Sequence, residues 1–367
     1  MNLPFSEFQL GATTLKNRLA VAPMTTGQSN LDGSLSRAES SWLARLVDDG
    51  YGAVITCAAA ISKGAVAFHN QLSFGDDSFL PALTDLTKRL NRKGSLLIAQ
   101  LCHGGSRSIP ELTGLPAHSA SRYELPIPGF VPPIELSPSQ IMQIIEEFAA
   151  AANRAYTAGF GGVELHGANG YLFTQFTSTM TNRRLDAWGG SLENRARFLR
   201  EVVHAVRARV PKSFIIGYRM SFEGFGLETG LDIDENIQII QWLAEDGIDY
   251  GHISHLDFAA KSVKYPDSIA LSYIRARVDK ALPLMCAGGV VSPRDLERAL
   301  DLGADLVALG RAAIGNSHVP EKFKKDIALA EPPFSRSSLS ELKVSNDFIR
   351  YMTTAFPVST LNIVAPK

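Results

Sequence analysis

The sequence predicts a (β/α)8 barrel, an α/β fold. Three observations point there. Short β-rich runs alternate with longer helical stretches, and there are eight such runs. Several are almost continuously apolar, as expected of strands covered on both faces. No composition break divides the chain, so one barrel over residues 1–330 fits better than two domains. A doubly wound sheet would need an early Gly-x-Gly-x-x-Gly turn, and none is present.

The elements follow in order. Residues 8–14 turn at Gly11 and read as a short N-terminal hairpin closing the lower end of the barrel. Strands are expected at residues 19–22, 53–56, 96–101, 162–165, 214–219, 250–254, 283–287 and 306–309. After the third strand, Ser137 and Gln140 form a capping box, with Pro138 at the first helical position. Ile141, Ile144, Ile145, Phe148, Ala152 and Ala155 then share one helical face, and Gly159 stops the helix. A second helix runs from Ser191 through Phe198 and Val202 towards Pro211; a third starts near Ser292-Pro293 and ends at Gly303. Two segments break the rhythm. Residues 104–138 form a long loop after the third strand and hold seven prolines; a loop of that length usually covers a site. Residues 331–367 read as a tail packed on the barrel or on a neighbouring subunit.

The chain has 367 residues, 45% of them apolar, enough to bury a sizeable core. Lys plus Arg is 36 and Asp plus Glu is 37, a net charge of −1. That balance argues against a general nucleic-acid grip and a polybasic membrane anchor. No apolar run approaches the roughly 18–20 residues that span a bilayer. The first residues lack a signal-peptide pattern, so a cytoplasmic location is expected. Cys57, Cys102 and Cys286 include no Cys-x-x-Cys, so they read as buried thiols rather than metal ligands or a disulfide framework.

A barrel of this kind carries its site at the C-terminal ends of the strands. There the chain places Pro23-Met24-Thr25, Ala58, Gln100 and His103, His166 with Asn169 and Tyr171, Arg219, His252 and His255, Gly288-Gly289, and Gly310-Arg311. Glycines after the seventh and eighth strands let backbone N–H groups approach a phosphate, and Arg311 adds a charged fork. Taken alone, these also fit two ordinary turns. His166 and Asn169 can both donate to one carbonyl oxygen, and the Tyr171 hydroxyl can deliver a proton. A lone His-x-x-Asn-x-Tyr also fits a structural role.

The longer string Gly162-Val163-Glu164-Leu165-His166-Gly167-Ala168-Asn169-Gly170-Tyr171-Leu172 narrows the choice, followed as it is by Asn182-Arg183-Arg184-Leu185-Asp186-Ala187-Trp188-Gly189-Gly190-Ser191. With Leu15-Lys16-Asn17-Arg18, Ala22-Pro23-Met24-Thr25, Gln100-Leu101-Cys102-His103, Arg219-Met220-Ser221, Ala287-Gly288-Gly289 and Leu309-Gly310-Arg311, it resembles the Old Yellow Enzyme family of FMN-dependent NAD(P)H oxidoreductases. The likeness covers residues from about 3 to 330.

The resemblance implies FMN across the strand ends and NADH or NADPH as hydride donor. Pro23, Met24 and Ala58 would line the flavin through their backbone. Thr25 would bond its C4 carbonyl, Gln100 its pyrimidine edge, and Arg219 the region of N1. Gly288, Gly289, Gly310 and Arg311 would cradle the phosphate. His166 and Asn169 would grip a small-molecule substrate's carbonyl oxygen, Tyr171 would protonate its α-carbon, and His103 would line the same pocket. The implied reaction is hydride transfer to an α,β-unsaturated carbonyl or similar electron-poor alkene. Reduction of a nitro compound, N-demethylation, or simple flavin or phenol binding are the alternatives on the same barrel. Gly27 stands where some relatives carry a substrate-contacting tyrosine, which implies a wider cavity there. The oligomeric state is open.

Overall fold

Eight parallel strands close on themselves: Leu19–Val21, Ala53–Ile55, Leu96–Cys102, Gly162–Gly167, Ile215–Met220, Tyr250–Ser254, Leu284–Ala287 and Leu306–Leu309. Each pairs with the next, and the eighth pairs with the first. The computed structural model describes residues 3–125, 129–224, 229–354 and 363–364.

Successive side chains of a strand point to opposite faces, so a strand apolar at every position needs two apolar environments. The barrel supplies both. Ala20, Ala53, Ile55, Ile98, Ile215, Met285, Leu306 and Ala308 fill the inside. Leu10 and Leu15 join them from the antiparallel hairpin Phe8–Leu10 and Thr13–Leu15, which plugs the barrel floor. The alternate residues, among them Leu19, Val54, Leu97, Val163, Ile216 and Val307, belong to the outer core under the helices.

The helix signals hold. Ser137 accepts from the Gln140 amide at 3.3 Å, and the Gln140 side chain accepts from the Ser137 amide at 2.9 Å, starting the helix Pro138–Thr157. Ser191 caps Leu192–Arg209, and Ser292 caps Pro293–Asp301 in a second reciprocal box with Asp295. Expected and observed strand ends differ most at the fourth strand. It continues through His166 and Gly167, because these pair in register with Arg219 and Met220 of the fifth. His166 therefore stands on a rigid strand rather than in a loop.

The long loop after the third strand is partly ordered by the helix Pro110–Thr113 and the short parallel pair His118–Ser119 and Ile134–Glu135. Arg184 fastens it. Its guanidinium donates to the carbonyls of Ala120 and Leu136 at 2.7 and 2.6 Å, and forks onto Asp186 at 2.9 and 2.6 Å. The tail packs against its own barrel through the helices Arg336–Glu341 and Asn346–Thr354. Leu339, Phe348 and Ile349 enter the outer core, and Phe348 stands edge-on to Trp42 with ring centres 5.4 Å apart. The three cysteines are buried and unpaired. No helix among the described residues is long and apolar enough to cross a membrane.

Candidate active site

The C-terminal ends of the strands surround a cavity of about 500 Å³. Pro23, Met24, Thr25, Ala58, Gln100, His166, Asn169, Tyr171, Arg219, Gly288, Gly289, Gly310 and Arg311 all line it. Its size falls in the range of small-molecule and cofactor sites. Among the described lining residues there are three arginines, Arg107, Arg219 and Arg311, and no Asp or Glu.

At one end, Gly288 and Gly289 have φ of 129° and 72°, in the region that side chains rarely adopt. A Cβ on Gly288 would lie 2.6 Å from the carbonyl oxygen of His255, so the close turn requires glycine. Gly310 caps the short helix Arg311–Gly315, and Arg311 has no ion-pair partner among the described residues. Two glycine turns facing an unpaired, half-buried guanidinium make a place for a phosphate.

At the other end, His166 is 3% exposed, and its Nδ1 has no hydrogen-bond partner. Burial, then the charges of Arg219, His252 and Arg107, hold its pKa well below the usual histidine range, so the ring is neutral. Asn169 has φ of 61°, a left-handed conformation that asparagine tolerates, and its amide donates to the Ser221 hydroxyl at 3.3 Å. Tyr171 follows, its ring centre 5.0 Å from that of His166. Burial raises its pKa, against the opposing charge of Arg107, so the phenol keeps its proton at neutral pH.

Gln100 rests on a buried acid. Its Nε2 donates to Glu164 at 2.8 Å. The Tyr250 hydroxyl donates to the same carboxylate at 2.9 Å, and His252 Nδ1 lies 2.8 Å away. Tyr250 reaches it because Gly217 has no side chain: a Cβ there would lie 2.1 Å from the tyrosine ring. Burial disfavours the Glu164 charge, but His252, Arg219 and Tyr250 outweigh it, and its pKa is lowered. Burial also keeps His252 neutral, so its Nδ1–H donates to an ionised carboxylate.

Two sequence expectations change. His103 does not line the cavity: its ring is buried, Nδ1 accepts from the Gly105 amide at 3.0 Å, and its carbonyl accepts from Leu172. It shapes the turn after the third strand instead. The space over Gly27 is not open, because Tyr351 from the tail fills it; a Cβ on Gly27 would meet the Tyr351 Cβ at 3.7 Å. Tyr351 also hydrogen-bonds the Thr25 side chain. Of the two later histidines, His255 lines the cavity and His252 lies beneath it. Residues that the sequence did not single out also line it: Arg107, Leu256, and Phe348, Tyr351, Met352 and Ile363 of the tail.

The buried neutral rings have a measurable consequence. Burial pushes His103 down to about 3 and His166 well below its usual value. The unfolded chain protonates both near 6.5, so protons favour unfolding. Their stabilising contribution is complete above that pH and falls by about 1.4 kcal/mol per pH unit per ring below it. Thermal unfolding followed by intrinsic fluorescence should show Tm dropping steadily between about pH 7 and pH 5. A flat Tm across that window would mean that the folded protein accepts these protons.

A barrel whose cavity has a glycine-arginine cradle, a His-Asn-Tyr wall and no acid among its described lining residues is the arrangement that the sequence resemblance implied. Comparison with known proteins agrees. The pattern of the NADH:flavin oxidoreductase / NADH oxidase family matches residues 4–330. The chain belongs to this family, that of the Old Yellow Enzymes. It is 34% identical over 340 residues to the probable NADH-dependent flavin oxidoreductase YqiG of Bacillus subtilis, covering 88% of this chain and 87% of that one. It is 33% identical over 318 residues to an NADPH dehydrogenase of Clostridium acetobutylicum, covering 86% and 92%. A match to the NADH:acrylate oxidoreductase of Vibrio harveyi, 33% identical over 336 residues, covers 88% of this chain but only 33% of that protein. Among solved structures, morphinone reductase superposes with a TM-score of 0.80 at 29% identity, covering 92% of both chains. The old yellow enzyme homologue of Zymomonas mobilis gives 0.81 at 25%, covering 92% and 99%. The protein is thus an NAD(P)H-dependent flavin oxidoreductase that uses FMN.

Proposed function

We propose that this oxidoreductase is an ene-reductase, acting on electron-poor alkenes such as α,β-unsaturated carbonyls. The observation that carries the reading is one wall of the cavity, where a buried neutral imidazole with an unpartnered nitrogen stands beside Asn169 and a protonated Tyr171.

Each lining residue then has a task. Gly288, Gly289, Gly310 and Arg311 hold the FMN phosphate. Pro23, Met24 and Ala58 would line the ring, and Gln100, pinned by Glu164, would meet its pyrimidine edge. The Thr25 hydroxyl, which meets Tyr351, would stand at the C4 carbonyl of the bound flavin. Arg219 would put positive charge beside the flavin, near N1, where it would favour the reduced form. Bound FMN supplies hydride, taken from NADH or NADPH, to the β-carbon of the alkene.

His166 and Asn169 donate to the substrate's carbonyl oxygen and so stabilise the negative charge that gathers there. A neutral His166 suits this, because it donates without adding its own charge to a cavity already lined by arginines. Tyr171 gives its proton to the α-carbon. Its raised pKa keeps that proton in place until the carbon becomes basic.

The test is an anaerobic titration. NADH or NADPH should bleach the flavin absorbance of the purified protein, and 2-cyclohexenone should restore it with formation of the saturated ketone. A bleached protein that nitro compounds reoxidise and enones do not would overturn the reading.

A further inference from the structure

We propose that the alkene reduced here carries a carboxylate, and that Arg107 binds it; the proposal rests on the ene-reductase reading. The cavity wall holds three guanidiniums and, among its described residues, no carboxylate. Two of the three have tasks. Arg311 sits at the glycine cradle, matched to a phosphate. Arg219 lies on the fifth strand in register with His166 and donates to the Pro23 carbonyl at 3.2 Å, and the proposed function gives it to the flavin. Arg107 is left over, and it stands elsewhere.

Its position is set by the wall that grips the substrate. Arg107 Nη1 donates to the backbone oxygen of Asn169 at 2.5 Å, and its guanidinium lies 4.8 Å from the centre of the Tyr171 ring. One side chain therefore touches both the carbonyl-gripping turn and the proton donor. Its charge is felt at His166, Tyr171 and Tyr351 alike. Several arginines elsewhere pair with acids, among them Arg154 with Asp77, Arg184 with Asp186, Arg195 with Glu235 and Arg200 with Asp246. Arg107 has no acidic partner among the described residues, although it lies in a chain with as many acids as bases. The contact with Asn169 uses Nη1 alone, and a guanidinium has further N–H donors of the geometry that forks onto a carboxylate.

The chemistry is consistent. A ketone oxygen sits on His166 and Asn169, and the carboxylate lies on the Tyr171 side against Arg107. Pairing with the guanidinium offsets the carboxylate's negative charge, which would otherwise oppose arrival of a hydride. The C=C π bond breaks, the β-carbon gains hydride that originates from NAD(P)H, and the α-carbon gains the Tyr171 proton. NAD(P)H leaves as NAD(P)+, and solvent returns a proton to Tyr171.

The same fork could instead meet a phosphate of the dinucleotide, so the test separates the two. The holoenzyme is reduced anaerobically and mixed with trans-4-oxo-2-pentenoate or its methyl ester in a stopped-flow instrument. Reoxidation efficiency should favour the acid, and the acid-to-ester ratio should fall about tenfold or more in Arg107→Gln and be largely restored in Arg107→Lys, an effect of the size expected for a charge-assisted pair. Restoration by lysine separates charge from packing. An unchanged ratio in Arg107→Gln, with weaker binding of NADH or NADPH in the reductive half-reaction, would assign Arg107 to the dinucleotide and overturn the proposal. Should neither compound reoxidise the flavin, the ene-reductase reading fails by itself. The carboxylate proposal is then decided by titrating the oxidised holoenzyme with 4-oxopentanoate and its methyl ester, watching the flavin spectrum. Tighter binding of the acid, lost in Arg107→Gln, supports it, and equal binding overturns it.

Discussion

Tyr171→Phe is expected to slow reoxidation by an enone by about 100-fold or more, the usual contribution of a positioned general acid. Flavin reduction by NADH in the same variant should change by no more than about threefold, because hydride transfer from the dinucleotide needs no proton from Tyr171. The two half-reactions are separable in a stopped-flow instrument without oxygen. The split follows from the geometry. Tyr171 lines the cavity beside His166, is buried, and holds its proton because burial raises its pKa. Removing one hydroxyl leaves the ring packing with Phe68 and Cys102 intact, so the fold should not suffer. Equal slowing of both half-reactions would show that Tyr171 acts on the dinucleotide or on cavity shape, and would remove it as proton donor.

Glu164→Leu should be the most damaging single change to stability at the site, at about 3–5 kcal/mol. The leucine is apolar and fills the site, so lost hydrogen bonding rather than a cavity is the main cause. It leaves three donors inside the barrel without an acceptor: Gln100 Nε2, the Tyr250 hydroxyl and His252 Nδ1. Each orphaned buried donor costs on the order of 1–3 kcal/mol, and Arg219 also loses a nearby opposite charge. Glu164→Gln, which keeps one acceptor oxygen, should fall between the two. Differential scanning calorimetry at neutral pH reads both, and FMN affinity should weaken in step, since Gln100 loses the partner that orients its amide. A leucine variant melting within a degree of the wild type would show that water or a rearranged side chain satisfies the three donors.

Much of this was legible in the chain. The barrel strands showed because both their faces are buried, which turns the usual alternation into unbroken apolar runs such as Leu284–Ala287 and Leu306–Leu309. Helix starts showed because Ser137 and Ser292 cap by local hydrogen bonds that depend on nothing distant. Strand ends showed less well. His166 looks like a loop residue, yet pairing with Arg219 of the fifth strand holds it in the sheet. His103 and His166 both follow a run of apolar residues, and the sequence gives no reason to separate them. A glycine amide two residues along takes the first ring out of the cavity, while the second stays unpartnered.

The residues that were missed reach the cavity from loops after the strands and from the tail. Arg107 follows the third strand in a proline-rich loop, where no pattern marks which side chain turns inward. A cation two residues beyond Gly105, close after a strand end, was the available signal. Tyr351 lies far along the chain from Gly27, and only the folded tail brings them together. Reading the glycine alone suggested room that another part of the chain had filled.

That tail has a consequence of its own. The family pattern ends at residue 330, whereas Phe348, Tyr351, Met352 and Ile363 form part of the cavity wall. Part of the cavity wall is thus written outside the stretch that carries the barrel. Exchanging the final stretch between relatives offers a modular way to redirect what such a catalyst accepts, while leaving the strands and their cradle untouched.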